Sequence, residues 1–196
     1  MSFTLRLAAV LSAALILAGC TTAEGDTVAD QRQAIQEMKQ DALTKLYSLE
    51  PKARTQVQQA VGYAVFSNVG VSLLVVSTGS GYGVVEDLRT GGQTYMKMLS
   101  GGVGLGLGVK DFRGVFVFTT EEALEDFVEN GWTASADADV AAKSGEKGGA
   151  WAGAADIAPG IKLYQITENG LALQAAIQGT KYWKDDELNA NSDLNS

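Results

Sequence analysis

The stretch that decides the fold is Gly101-Gly102-Val103-Gly104-Leu105-Gly106-Leu107-Gly108-Val109. Branched apolar residues alternate with glycine over residues 103–109, which predicts a β-strand with one apolar face and one face without side chains. Each glycine inside a strand costs about 0.5 to 1 kcal/mol relative to alanine, so the pattern needs a structural reason. Either the bare backbone lets the sheet coil tightly, or a ligand approaches the backbone there.

The segment that precedes the strands predicts two helices. Apolar residues recur at helical spacing over residues 30–49, and Pro51 introduces a second, short helix over residues 52–60. This pair is expected either to pack on the sheet or to insert into a membrane surface. Its apolar face has few Lys or Arg residues nearby and lacks large aromatic residues, which weakens the case for insertion.

The rest of the chain predicts strands around one internal helix. Thr119 and Glu122 form a capping-box pattern that opens this helix, and Asn130-Gly131 ends it. The predicted strands are residues 63–67, 71–76, 82–87, 93–100, 101–109, 115–118, 132–142, 161–167 and 171–177. The fold class is therefore α+β: a strongly coiled antiparallel sheet or barrel-like β-core with N-terminal helices and one internal helix.

Turn signals connect the predicted strands. Residues 68–70 predict a turn, residues 77–81 a loop, and residues 143–149 a polar loop rich in glycine. Residues 111–114 are expected to join the glycine strand to residues 115–118 in a hairpin. Glu168-Asn169-Gly170 predicts a second hairpin, because Asn-Gly between alternating runs is a strong hairpin signal.

The N-terminus resembles the precursor of a bacterial lipoprotein. Arg6 precedes a short apolar run, and Leu17-Ala18-Gly19-Cys20 matches the lipobox. In such precursors the signal peptide is cleaved before the cysteine. Cys20 is then expected to be the diacylated first residue of the mature protein, a palmitate-type membrane anchor. The alternative is an ordinary signal peptide in which Cys20 is incidental. We therefore divide the chain into a signal peptide over residues 1–19, an acylated tether over 20–29, a single domain over 30–184 and an acidic, disordered tail over 185–196.

Composition excludes several classes of function. The net charge is −8 and no basic tract occurs, which argues against nucleic acid as a partner. The chain has no histidine, so Ser-His-Asp and Cys-His catalysis is excluded, and its only cysteine is assigned to acylation. Gly-rich phosphate-binding motifs fail on spacing. We expect no enzyme activity and no cofactor.

Charged side chains in the predicted loops are the candidate binding residues. Three of them, meeting at one end of the sheet, would hold a lipid phosphate by charge-assisted hydrogen bonds. The candidates are Arg89, Lys110, Arg113, Lys143 and Lys147. Asp137 and Asp139 share one side of a predicted strand and suit either a Ca²⁺ ion or a solvated face; no other metal site is predicted.

The order of these pieces resembles the SYLF domain family, a lipid-binding module of endocytic adaptors, plant FYVE proteins and bacterial lipoproteins. The resemblance runs from Gly62-Tyr63-Ala64-Val65-Phe66 through the glycine strand and the Thr-Glu-Glu-Ala-Leu helix to Gly179. It implies non-catalytic binding of phospholipids. The short glycine-rich segment at residues 77–83 and the few basic residues of the N-terminal helices depart from the family pattern, which leaves headgroup preference and actin binding open.

The sequence thus predicts a lipoprotein that binds phospholipid at the bacterial envelope. Thr21 after the lipobox cysteine favours the outer membrane, with the domain facing the periplasm. The alternative is a structural envelope protein that binds other proteins or itself. The sequence names no protein partner.

Overall fold

The computed structural model describes residues 23–73, 76–103, 112–134, 153–168, 170–172 and 179–190. Within them the helices are α1 (Val28–Leu49), α2 (Lys52–Gln58), α3 (Glu121–Glu129) and α4 (Asp186–Asn189). The strands are β1 (Gly62–Leu73), β2 (Val76–Asp87), β3 (Gln93–Val103), β4 (Phe112–Phe118), β5 (Trp132–Thr133), β6 (Ala155–Ala158), β7 (Ile161–Thr167), β8 (Gly170–Ala172) and β9 (Thr180–Lys184).

The strands form one antiparallel sheet. Its order is β5-β9-β3-β2-β1-β4-β7-β6, and β8 also pairs with β7. The rings of Phe116 in β4 and Tyr182 in β9 are 5.2 Å apart, although four strand-to-strand steps separate these strands. Four steps span about 19 Å in a flat sheet. The sheet therefore curls strongly into a half-barrel, and the predicted fold class is confirmed.

The curl gives the sheet an inner and an outer face, each with its own core. The inner face packs aromatic side chains of the strands against α3, whose Leu124 and Phe127 are buried. The outer face packs valine and tyrosine side chains against α1, α2 and α4. Alternation along each strand supplies both cores: in β4, Phe116 and Phe118 belong to the inner core, and Val115 and Val117 to the outer core.

The helix α1 packs on the outer face of the sheet. Its buried stripe includes Ile35, Met38, Ala42 and Leu46, at the spacing of one helical face. Of the two expectations for the N-terminal helices, packing on the sheet is the one that the structure shows.

The predicted tether is too long. Thr27 caps α1 in a reciprocal capping box with Asp30, and the helix begins at Val28. Ala23 is already buried in the outer core, with 4% of its surface exposed. The packed part of the domain therefore includes Ala23, three positions after Cys20.

The strands β1 and β2 are longer than predicted. Each has twelve residues, so the turn at residues 68–70 and the loop at 77–81 are wrong. The glycines there serve close packing within strands: a Cβ added to Gly81 would lie 1.9 Å from the carbonyl oxygen of Ser67, and one added to Gly83 would lie 2.4 Å from the Phe66 ring. The glycines allow the backbones of neighbouring strands to approach closely. The sequence prediction interpreted the same glycines as a loop.

The predicted hairpin across residues 111–114 is also wrong. Arg113 and Gly114 lie inside β4, which pairs with β1 on one side and β7 on the other. Both edges of β4 are therefore occupied by other strands. The hairpin between β7 and β8 is confirmed by the pairing of Thr167 with Gly170.

The glycine stretch is described only at its beginning. Gly101, Gly102 and Val103 continue β3, so the predicted strand over 93–100 runs on into the glycine stretch without a break. Gly104, Gly106 and Gly108 lie outside the described residues. The same holds for the predicted strand over residues 135–142, the loop over 143–149 and residues 173–177.

Two local predictions need correction at α3 and at the C-terminus. The residue that caps α3 is Thr120 and not the predicted Thr119. The Thr119 hydroxyl donates to the carbonyl oxygen of Gly160 at 3.3 Å. Residues 185–190 are not disordered: Asp185 caps α4, and Leu188 is buried with 2% exposed. The acidic composition that suggested disorder supplies the capping carboxylate. Residues 191–196 lie outside the described residues.

Candidate functional site

The structure describes two of the five predicted cations. Arg89 and Arg113 lie within the described residues. The remaining predicted site residues, including the acylation site and both candidate metal ligands, lie outside them: Cys20, Lys110, Asp137, Asp139, Lys143 and Lys147. The geometry therefore tests only the two arginines.

Arg89 is engaged with carboxylates in the turn between β2 and β3. It forms ion pairs with Asp87 at 3.0 Å, Glu121 at 2.9 Å and Glu125 at 3.3 Å. The hydrogen bond from Arg89 lowers the pKa of Asp87 below its ordinary value. Arg89 thus ties this turn to α3, and the neighbouring pocket of about 460 Å³ is lined by the carboxylates of Asp87, Glu125 and Glu129. The negative charge of these carboxylates disfavours the binding of an anion at Arg89.

Arg113 lies far from Arg89 along the same strands. Asp87 stands opposite Gly62 of β1, and Arg113 stands opposite Ser67. Five residues of strand correspond to about 16 Å. The two arginines therefore belong to opposite ends of the sheet and do not meet.

Arg113 shares a pocket with a lysine of α1. Lys45 reaches over β7 and donates to the Thr167 carbonyl oxygen at 3.2 Å. Among the described residues, Arg113 makes no ion pair. The pocket has a volume of about 390 Å³ and is lined by Lys45, Ser67, Asn68, Val69, Phe112, Arg113, Ile166, Thr167 and Glu168.

This pocket has the chemistry of an anion site of moderate strength. A guanidinium and an ammonium stand beside the hydroxyls of Ser67 and Thr167, and such donors bind phosphate oxygens by charge-assisted hydrogen bonds. Glu168 on the same lining offsets part of the positive charge. The pocket therefore suits a phosphate that is also held by other contacts.

Sequence reasoning missed Lys45. It treated α1 as an amphipathic helix with few cations and looked for binding residues in the loops. A signal was present: Lys45 directly precedes Leu46, which belongs to the buried stripe. A lysine at the border of such a stripe lays its stem along the sheet and its ammonium at the edge.

Comparison with known proteins identifies the domain. Residues 99–192 match the family model described as "Ysc84: Las17-binding protein actin regulator". Beta cell expansion factor A of Aeromonas veronii is 37% identical over 168 residues, which is 85% of this chain. The chain belongs to the SYLF (Ysc84) domain family. It spans 62% of the length of the Aeromonas relative.

The inner core of this SYLF domain contains a buried hydroxyl that has no hydrogen-bond partner among the described residues. This hydroxyl belongs to Tyr182, whose side chain is fully buried. Burial raises the pKa of the Tyr182 phenol far above its ordinary value. The ring is surrounded by Phe66, Phe116, Phe127 and Trp132. The hydroxyl stays neutral at all physiological pH values and costs the fold a desolvated polar group.

Metal-binding clusters and membrane-spanning helices are both absent from the described residues. In the part of the SYLF domain that the structure describes, no three His, Cys, Asp or Glu side chains are grouped to hold a metal ion. Among the described helices, none is long and apolar enough to cross a membrane.

Proposed function

We propose that this protein is a bacterial lipoprotein, anchored through acylated Cys20, whose SYLF domain binds phospholipid without catalysing a reaction. The observation that supports this most is the pocket in which Arg113 and Lys45 stand beside two hydroxyls. Its donors match the phosphate of a lipid headgroup. The family resemblance points to the same class of ligand.

Anchoring makes a weak headgroup site sufficient. Cys20 is followed by only two residues before the chain is packed at Ala23. A domain held this close to a bilayer meets headgroups at high effective concentration. Thr21 after the cysteine favours the outer membrane, with the domain in the periplasm.

The headgroup site is tested with a soluble form that carries Cys20→Ser. We expect co-sedimentation at low salt with vesicles of phosphatidylethanolamine and phosphatidylglycerol, and less with phosphatidylcholine alone. Each cation near an anionic surface contributes about 1 kcal/mol, so Arg113→Gln and Lys45→Gln should each weaken binding about fivefold. Free inorganic phosphate at millimolar concentration, added as a competitor, separates a lipid site from a general phosphate site.

Arg89→Gln is the matched control. It removes the same charge at the opposite end of the sheet, where three carboxylates already surround the arginine. Its binding should equal that of the parent. If the parent sediments with no phospholipid at low salt, or if Arg89→Gln weakens binding as much as Arg113→Gln, the proposed headgroup site is wrong.

The anchor is tested separately, by mass spectrometry of the protein from the bacterium that produces it. We expect a chain that starts at Cys20 and carries added acyl mass, found in the outer-membrane fraction. The Cys20→Ser variant should lack this mass. A mature chain that starts elsewhere or bears no acyl group excludes the anchor but leaves the headgroup site intact.

A protein-binding role at the envelope is the second candidate. It is favoured by the family description, which names a protein-binding actin regulator. This role predicts cross-linked partners or oligomers that persist without lipid. Cross-linking in cells and light scattering of the soluble form distinguish it from the first proposal.

A further inference from the structure

The strands β1, β2 and β3 run beyond the end of β4 at one end of the described sheet. The pairing of β1 with β4 ends at Asn68 and Phe112, but β1 stays paired with β2 as far as Leu73 and Val76. Pairing of β2 with β3 likewise continues to Val76 and Val103. We name residues 69–73, 76–80 and 99–103 the sheet extension. Its five residues of β1 span about 16 Å.

The register sorts the sheet extension into two different faces. Val69, Ser80 and Leu99 form one cross-strand row. The neighbouring row on the same face, closer to α1, holds Ser67, Tyr82 and Lys97. Alternation puts this row on the outer face, where Val65 packs under α1. Among the residues of the extension whose side chains the structure describes, Val69 and Leu99 are the large apolar ones on this outer face.

No helix among the described residues covers Val69 and Leu99 on the outer face of the extension. Val65 and Val84, which lie on the same face under α1, are fully buried. Val69 is 62% exposed and Leu99 is 47% exposed. The helix therefore covers this face up to the row of Tyr82 and leaves Val69 and Leu99 of the next row exposed.

Cations flank the open row on both sides. Arg113 stands on β4 beside Ser67, and Lys181 stands on β9 directly opposite Leu99. Apolar side chains bordered by long cations are typical of surfaces that lie at a bilayer, where the cations reach the phosphates and the apolar groups reach the acyl chains.

The first described residues lie near this face. Ala23 is packed in the outer core together with Tyr82, and the pKa of the Tyr82 phenol is raised by burial and then by the nearby carboxylate of Glu24. Two residues lie between Cys20 and Ala23, so the two are at most about 11 Å apart when the chain is extended. An acyl anchor on Cys20 would therefore hold the bilayer close to Ala23, and this makes the bilayer the occupant that we infer for the exposed side chains.

We propose that the outer face of the sheet extension, centred on Val69 and Leu99, lies against the phospholipid bilayer when the protein is anchored through Cys20. This inference rests on the proposed function and adds the surface and the orientation. The headgroup pocket, which Val69 and Arg113 also line, then opens at the level of the phosphates.

The experiment uses single-cysteine variants. Since Cys20 is the only cysteine, Cys20→Ser gives a cysteine-free background. Val69→Cys and Leu99→Cys are labelled with an environment-sensitive dye and mixed with vesicles of phosphatidylethanolamine and phosphatidylglycerol. We expect a blue shift and a gain in emission at both positions. Leu88→Cys is the matched control: Leu88 is 45% exposed but follows Asp87 at the opposite end of β2, and its dye should not respond.

Affinity gives an independent readout. The double variant Val69→Asp/Leu99→Asp in the cysteine-free background should bind the same vesicles at least about tenfold more weakly, because it places two charges in the apolar contact. Leu88→Asp should bind as the parent does. Val69→Ser/Leu99→Ser serves as a milder pair in case the double aspartate variant loses its cooperative melting transition, and should also bind more weakly than the parent.

The outcomes separate this inference from the proposed function. If the parent binds vesicles, but the dyes at 69 and 99 stay silent and neither double variant loses affinity, the surface is wrong and lipid binding stands. If the parent binds no vesicle, both fail. If the double variants instead dissociate an oligomer seen by light scattering, the face contacts a second copy, which also overturns the inference.

Discussion

At one end of β1 and β2, the turn into β3 and the helix α3 close over the strands; at the other end, Val69 and Leu99 are about half exposed. The two ends also treat arginine differently. Arg89 is surrounded by three carboxylates, whereas Arg113 lines a pocket with a second cation. One end of the same strands is satisfied within the chain. The other end leaves apolar and cationic groups available for contact with something else.

The first prediction is that stability resides in the closed part of the half-barrel. Phe116 is fully buried and its ring contacts four other aromatic rings. Phe116→Ala should lower the free energy of unfolding by about 3 to 5 kcal/mol. Val69→Ala, at the open end, should change it by less than about 0.5 kcal/mol. Urea unfolding followed by circular dichroism checks both, and comparable losses would contradict the division.

The second prediction compares two glycines at different levels of the sheet. A Cβ on Gly83 would lie 2.3 Å from the Val65 carbonyl oxygen, but one on Gly101 meets nothing within 4 Å. Gly83→Ala should therefore cost about 1 to 3 kcal/mol through overpacking. Gly101→Ala should gain about 0.5 to 1 kcal/mol, because alanine loses less backbone freedom on folding. Thermal melts of the two variants measure the difference. Equal effects on the melting temperature would contradict the difference in packing between the levels of Gly83 and Gly101.

The same contrast explains which features of the fold were predictable from the sequence. Periodicity located α1, α3 and the hairpin of β7 and β8, because a local pattern decides each of them. Glycine was ambiguous: Gly81 and Gly83 looked like a loop, but the backbone of β1 approaches them inside a strand. That contact depends on strand pairing, which a local pattern does not contain.

The candidate site was less predictable for the same reason. Arg89 and Arg113 look alike in the sequence, and only the fold brings Glu121 and Glu125 to one of them. Lys45 joins Arg113 because α1 crosses the sheet as far as β7. Long-range packing, which the sequence pattern does not encode, decided which cation is available.

The third prediction concerns the unpaired hydroxyl of the closed core. Since the Oη atom of Tyr182 is buried with no partner in the described part of the chain, Tyr182→Phe removes a desolvated polar group and keeps the ring contacts. We expect stability to rise by about 1 kcal/mol. Chemical unfolding against the parent measures it. A loss of stability would show that the hydroxyl has a partner and that the inner core is not purely apolar.

The fourth and smallest effect separates the two arginines by pH. The pKa of Asp87 is lowered by its hydrogen bond from Arg89, so the stability it contributes is present above the unfolded value of 3.8 and is lost as pH falls through the folded value. Arg89→Gln should therefore destabilise the domain slightly at neutral pH, and its melting temperature should converge with that of the parent in acid. Arg113→Gln, which removes no ion pair among the described residues, should parallel the parent throughout. The contrary result is an Arg113→Gln variant that melts below the parent at neutral pH and at the same temperature as the parent in acid. It would mean that Arg113 is also paired with carboxylates and is not available to an anion.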